Sequence, residues 1–435
     1  MKKFVVSPVV ASLFALGGCG SSTDNSPEKE VISPKAEIQT TTLTFNVKRR
    51  TKCGLVEYPN ASVIFHGEDG KPIATYSSDK EGFFSQEVPE GAKHVSIIGM
   101  ESYGRNDTTR KIYSKLDIAN GAELETIEFE DFSVYCECKD VTVDLSALAV
   151  THSMYSISRL GGGSISNYQD APEVCGSDAK LYYSINNPGY ELNTLAVVDV
   201  PQDVNSIVVT GSDFVHQSVN VPTSQFEVKT RVDVYGLDDN GNRILENFEY
   251  AAEQVKLKIY PSISSNNKLD NYKSISFAHE GHHVIMSSGV RAQLDEMGQV
   301  TGFKLPEAST ELAGQLSSAV TALEQEQTMA YDFTDLDARI QTASWQFYIE
   351  GTESIKWNIA GSVKSVLPKL TFGDVVSLPT QKVSYRSHLL LSGYDGAPSD
   401  IEGYRGYVYK NLDKSNQSDY AFIFLSSRTT GEPIL

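Results

Sequence analysis

Apolar residues recur at every second position along much of this chain. Leu43, Phe45 and Val47 alternate with Thr44 and Asn46, the pattern of a strand with one buried face. Ala61 to Phe65 and Val95 to Ile98 are apolar runs of strand length. Turn chemistry separates such runs: Asp69-Gly70-Lys71-Pro72, Asp79-Lys80-Glu81-Gly82 and Val88-Pro89-Glu90-Gly91. Further on, Trp345, Phe347 and Ile349 alternate, Gly351 to Ser354 turn, and Ile355, Trp357 and Ile359 alternate again. That predicts a hairpin with one aromatic-aliphatic face. Tyr404 to Tyr409 and Tyr420 to Leu425 read as another strand pair, joined by the polar loop Asp413 to Asp419. One window keeps a helical period. Leu312, Leu316, Val320 and Leu323 predict a single helix between Pro306 and Gln327.

The N-terminus breaks this pattern. Lys2 and Lys3 precede an apolar run from Phe4 to Leu16, too short to span a membrane as a helix. Leu16-Gly17-Gly18-Cys19 follows. This resembles the lipobox of bacterial lipoproteins, with Gly17 where Ala or Ser is more usual. The resemblance implies cleavage before Cys19, its diacylation, and anchoring to a membrane through the acyl chains. Gly20 stands where Asp would imply inner-membrane retention, so the expected address is the outer membrane. Residues 19–40, with Ser21, Ser22, Pro27 and Pro34 and little periodic apolar pattern, read as a flexible tether.

The segment DGKPIATYSSDKEGFFSQEVPEG resembles the carboxypeptidase-regulatory or transthyretin-like β-sandwich family. In that family a G-x-P turn, a D-x-x-G turn and a final P-x-G punctuate successive strands. The resemblance spans about residues 41–132 and implies a seven-stranded sandwich without catalytic residues of its own. A weak repeat follows. Val88-Pro89 to Gly99 has the spacing of Val200-Pro201 to Gly211, and Leu43 to Val47 resembles Val141 to Leu145. The expected organisation is a signal peptide (1–18), the tether (19–40), a transthyretin-like sandwich (41–132), a second sandwich-like domain (138–232) and a β-rich C-terminal domain (240–435). The fold class is mainly β: tandem Ig-like or transthyretin-like sandwiches behind a lipidated tether.

Length and charge narrow the function. At 435 residues there is room for two to four domains. The net charge is −19, and loss of Lys2 and Lys3 leaves 35 basic against 56 acidic residues, a mature charge of −21. That balance argues against nucleic acid as a partner, since phosphate binding needs clustered Lys and Arg. Cys53, Cys136, Cys138 and Cys175 remain after Cys19. In an exported chain they predict two disulfides, at least one tying Cys175 to the Cys136/Cys138 pair. A metal cluster at Cys136-x-Cys138 is the rival reading.

FAHEGHHVI carries His279, Glu280 and His283 in H-E-x-x-H order. On a helix both imidazoles would share one face and could bind zinc, with Glu280 as general base and Glu307 or Glu311 as a third ligand. That is the zinc metallopeptidase alternative. Against it, Gly281 disfavours a helix by about 1 kcal/mol relative to Ala. Lys273 to Phe277 alternates as a strand, and Met286 to Gly289 would end a helix early. On a continuous strand His279 and His283 would share a face about 13 Å apart, too far for one ion. The strand is preferred here, with no catalytic residue, metal or cofactor. Asp238, Asn240, Asn242 and Glu249 fall at calcium-loop positions, but Arg243 stands where such a loop needs Gly. Asn240-Gly241 between strand-like runs reads better as a hairpin turn. The 22 tyrosines could form a platform for sugar rings. The reading is a cell-envelope lipoprotein that acts by non-catalytic binding of a protein or glycan ligand.

Overall fold

The period-two pattern resolves into sheets. The computed structural model describes residues 41–104, 107–118, 120–133, 138–153, 155–160, 163–176, 179–186, 193–237, 243–250, 257–300, 304–351, 353–378, 383–410 and 420–429. They belong to one compact unit, Thr40–Leu435. Among them no helix is long and apolar enough to cross a membrane.

A twelve-stranded sheet organises the molecule. Its strands in chain order are β1 (Ser62–His66), β2 (Pro72–Ser77), β3 (His94–Gly104), β4 (Asp107–Lys115), β5 (Arg231–Leu237), β6 (Arg243–Tyr250), β7 (Asn267–His279), β8 (His282–Gln293), β9 (Thr342–Ile349), β10 (Ile355–Ser362), β11 (Val383–Tyr394) and β12 (Tyr420–Thr429). In space they run β6-β5-β7-β8-β12-β11-β9-β10-β4-β3-β1-β2. Every neighbour pair is antiparallel except β10–β4, where Trp357 lies beside Ile112 in a parallel ladder. That one ladder joins residues of the 41–132 segment to the C-terminal strands, so a single sheet crosses the expected domain boundary. The boundary near 232–240 is crossed as well, because β5 pairs with both β6 and β7. The turn from Asp238 to Asn242 lies outside the described residues.

Alternation then gives the sheet two cores on opposite faces. On one face Trp345, Phe347, Trp357, Ile359, Leu389, Leu391, Ile423 and Leu425 are buried. The helix Leu312–Glu324 lies across them and buries Leu312, Ala313, Leu316, Ala319 and Ala322. Spacings of three and four residues supply the stripe that faces the sheet. On the other face, at the β1–β3 end, Val63, Phe65, Val95 and Ile97 meet a second sheet that carries Leu43, Phe45, Val47 and Phe84. The centre of that second sheet is Thr42–Thr51, flanked by Gly54–Glu57, Phe83–Glu87, Ala122–Glu123 and Ile127–Glu130. A third core, drawn from residues between Val141 and Phe214, surrounds Val143, Tyr183, Ile185 and Ala196.

Several expectations hold as elements. The aromatic hairpin is β9–β10, with Phe347 opposite Trp357. The helix predicted between Pro306 and Gln327 is Leu312–Glu324. Cys138 is bonded to Cys175, directly opposite it in a short strand pair. Cys53 is also disulfide-bonded, while Cys19 and Cys136 lie outside the described residues.

Two details are corrected. Tyr404 to Tyr409 is not a strand: Ile401–Lys410 is a helix. Asp400 starts it by accepting the Gly403 amide at 2.7 Å, an N-cap. The partner of β12 is instead β11, with Leu389 opposite Leu425. The weak repeat is not reproduced in pairing. Ser206–Val208 lies parallel to Thr142–Asp144, whereas β3 pairs with β1 and β4.

Candidate functional site

FAHEGHHVI forms the tip of a long hairpin. Glu280 and Gly281 both have positive φ (46° and 79°), the backbone of a two-residue type I′ turn. β7 ends at His279 and β8 begins at His282. His279 stands opposite His282, and Ala278 stands opposite His283. Directly opposed residues share a face, so His279 and His283 point to opposite faces. This corrects the helix of the peptidase alternative and equally the single continuous strand, because the turn falls between the two histidines. His279 shares the face of Phe277, which packs against the helix-side core. Its Nε2 lies 3.7 Å from a Glu280 carboxylate oxygen. Glu311 is the exposed residue before the helix Leu312–Glu324, and Glu307 pairs with Lys304 at 3.1 Å. Among the described residues no three His, Cys, Asp or Glu side chains are grouped to hold a metal ion.

His283 leads to a different site. It stands opposite Arg428 on β12, and Arg428 stands opposite Arg386 on β11. The Arg386 guanidinium lies 5.5 Å from the ring centre of Tyr348 on β9. Lys356 on β10 is opposite Tyr348 and 5.8 Å from its ring. Lys356 in turn is beside Lys111 on β4. A row of four cations with one tyrosine among them thus crosses five adjacent strands. It occupies the face away from the helix Leu312–Glu324.

The row is electrostatically costly to build. Like charges directly opposite on a sheet repel, and this row contains two such pairs. Lys111 is answered by Glu101 at 3.2 Å, both side chains nearly buried. Burial pushes the Lys111 ammonium below its ordinary value; Glu101 opposes that shift and Lys356 adds to it. One step along the strands, His388 stands opposite Gln346 and Ser426. Its ring meets Tyr348 at 5.5 Å and Phe424 at 5.2 Å. Burial lowers the His388 imidazole to about 4, and Arg386, Arg428 and Lys356 push the same way. His388 is therefore neutral at pH 7. Among the described residues, His388 Nε2, Arg428 Nε and Asn358 Oδ1 are each buried without a hydrogen-bond partner. Buried polar atoms are normally satisfied, and these three lie on adjoining rows of the same face.

The same face continues to a cavity of about 310 Å³ under the helix Ile401–Lys410. Tyr394, Tyr404, Tyr420, Ser344 and Ser392 line it. Arg405 fixes the helix over the sheet by donating to the Asp117 carbonyl at 2.7 Å. Burial pushes the Tyr394 phenol up to about 12, so it is neutral at pH 7. From Tyr348 to Thr342, which lines this cavity, is six positions along β9, or about 20 Å. The face thus has cations at one end and, at the other, phenols beside the Lys115–Glu125 ion pair, with His388 and Phe424 between.

The chain matches no family model, no curated protein and no solved structure.

Sequence reasoning missed this face. Its charged residues come from four strands spread between Lys111 and Arg428. The one local signal is the polar phase of β10 and β11, where Lys356 and Asn358 alternate with Ile355 and Trp357, and Arg386 and His388 alternate with Ser387 and Leu389.

Proposed function

We propose that this chain is a lipid-anchored cell-envelope protein that recognises an extended acidic glycan without catalysing a reaction. The observation that carries this reading is the row of Lys356, Arg386 and Arg428 around Tyr348, closed at one end by Lys111, which is paired with Glu101. A carboxylate or sulfate on the ligand would meet Arg386 and Arg428 and relieve their mutual repulsion. The rings of Tyr348 and Phe424 suit the apolar faces of sugar rings. A span of about 20 Å suits an oligomer better than a single small anion. The net charge of −19 opposes long-range capture of a dense polyanion such as nucleic acid.

The lipobox-like Leu16-Gly17-Gly18-Cys19 supports anchoring at the outer membrane through Cys19. The resemblance of residues 41–132 to transthyretin-like sandwiches supports a scaffold role for that segment. In the same proposal residues 240–435 build the binding face, to which residues 41–132 add Lys111.

Calorimetry with uronate oligosaccharides, neutral oligosaccharides of equal length and a single-stranded oligonucleotide tests the reading. Uronate oligomers are expected to bind with salt-sensitive affinity, and Arg428→Gln to weaken them about tenfold or more, the scale of one charge-assisted hydrogen bond. Equal binding of neutral sugars, or preference for the oligonucleotide, would reject the acidic-glycan assignment. Palmitate-analogue labelling tests the anchor: Cys19→Ala is expected to abolish label, and undiminished label would remove the lipoprotein reading.

A further inference from the structure

The opposite side of the molecule carries a second cavity, unconnected to the cation row. It opens beside the C-terminal end of the helix Leu312–Glu324 and is walled by the loop 367–378 and by Pro72 of β2. Its volume is about 580 Å³, within the roughly 300–1,000 Å³ range of small-molecule sites. Leu323, Leu367, Leu370, Phe372 and Val376 form an apolar wall. Leu367, Leu370 and Phe372 are each no more than 3% exposed, so the lining is continuous with the protein core.

The wall is held in shape from outside. The Thr371 amide donates to the Gly70 carbonyl at 3.0 Å. Gly70 has φ +77°, and a Cβ there would sit 1.9 Å from the Lys369 carbonyl oxygen. Only glycine lets the two backbones approach this closely. Phe372 is held edge-on between His66 at 5.7 Å and Trp357 at 5.2 Å. A wall pinned on both sides resists collapse, the condition for a pre-formed site.

The mouth defines the ligand class. Its two cations are already neutralised within the protein: Lys71 pairs with Asp69 at 2.7 Å and Lys369 pairs with Glu326 at 2.6 Å. An anionic headgroup would have to compete with these carboxylates, and a cationic one with the lysines. We infer that this cavity is a binding site for an uncharged apolar molecule with an aliphatic chain.

The full-length chain can be titrated with the neutral fluorophore N-phenyl-1-naphthylamine. Saturable binding at one probe per chain is expected, with dodecanol displacing it at least tenfold better than dodecanoate. Val376→Trp, which fills the cavity, should weaken the probe about tenfold or more with the melting temperature retained. If Val376→Trp does not fold, Ala322→Leu fills the same space from the helix and serves as the second test. Arg428→Gln should leave the probe affinity unchanged, which separates this site from the cation row. Absence of saturable binding, or affinity untouched by a folded cavity-filling variant, would overturn the site. Equal displacement by dodecanoate would overturn the uncharged class.

Discussion

Arg386 and Arg428 stand directly opposite each other on adjacent antiparallel strands, on the face away from the helix Leu312–Glu324. Like charges directly opposite each other on a sheet repel. If Arg428 serves the proposed binding and not stability, removing its charge has a simple signature. Arg428→Gln is expected to raise the unfolding free energy of the free protein by about 0.5 kcal/mol, the scale of one cross-strand pair. The same variant should weaken acidic ligands. Denaturant titration and calorimetry on one preparation read both effects. A variant less stable than the parent would mean that Arg428 is structural.

Stability should fall on mild acidification. His66 is fully buried, with Nε2 2.9 Å from the Ser96 hydroxyl and Nδ1 3.2 Å from the Gly70 carbonyl oxygen. Burial lowers its imidazole from 6.5 to about 4. The unfolded chain therefore binds a proton that the folded chain refuses between these values. Stability is unaffected above about pH 6.5, declines as pH falls toward 4, and levels off below that. His66 alone corresponds to about 3 kcal/mol over this window. His388 adds a loss of the same sign. Melting curves from pH 7.5 to 4 check this, and His66→Gln should flatten them. A parent curve flat from pH 6.5 to 4 would contradict it.

The Cys138–Cys175 bond closes a loop of sequence separation 37. Such a loop restricts the unfolded chain, and replacing both cysteines by serine is expected to lower stability by about 2–4 kcal/mol. Peptide mapping without reduction should recover this cross-link, and a second one that includes Cys53. Free thiols at Cys138 and Cys175 in protein purified from the envelope would argue against the exported setting.

Placement of the histidine-rich tip on a hairpin also has consequences. His279→Ala and Glu280→Gln should leave acidic-glycan binding within about twofold, and zinc analysis should find well under one ion per chain. Gly281→Ala should be destabilising by about 1 kcal/mol or more, since φ +79° strains any residue with a Cβ. Stoichiometric zinc that disappears with His279→Ala would restore the metal reading.

The sequence by itself determined the local elements. Period-two alternation was enough for the β9–β10 hairpin, because Trp345, Phe347 and Ile349 had to share a buried face. A helical stripe was enough for Leu312–Glu324. Local reading failed where two patterns overlap. Tyr404 to Tyr409 holds strand-forming aromatics, but Ile401, Tyr404, Arg405 and Val408 also form a helical face, and the Asp400 cap favours the helix. H-E-x-x-H has helical spacing, yet Glu280-Gly281 reverses the chain and sends its two outer histidines to opposite faces. The tertiary structure alone decided the cation row. Strand pairing is non-local: nothing near Lys111 in the sequence indicates that β4 will lie parallel to β10, or that β11 will bring Arg386 opposite Arg428. Charge summed along the chain gives −19, and it conceals a cation row assembled only when those strands meet.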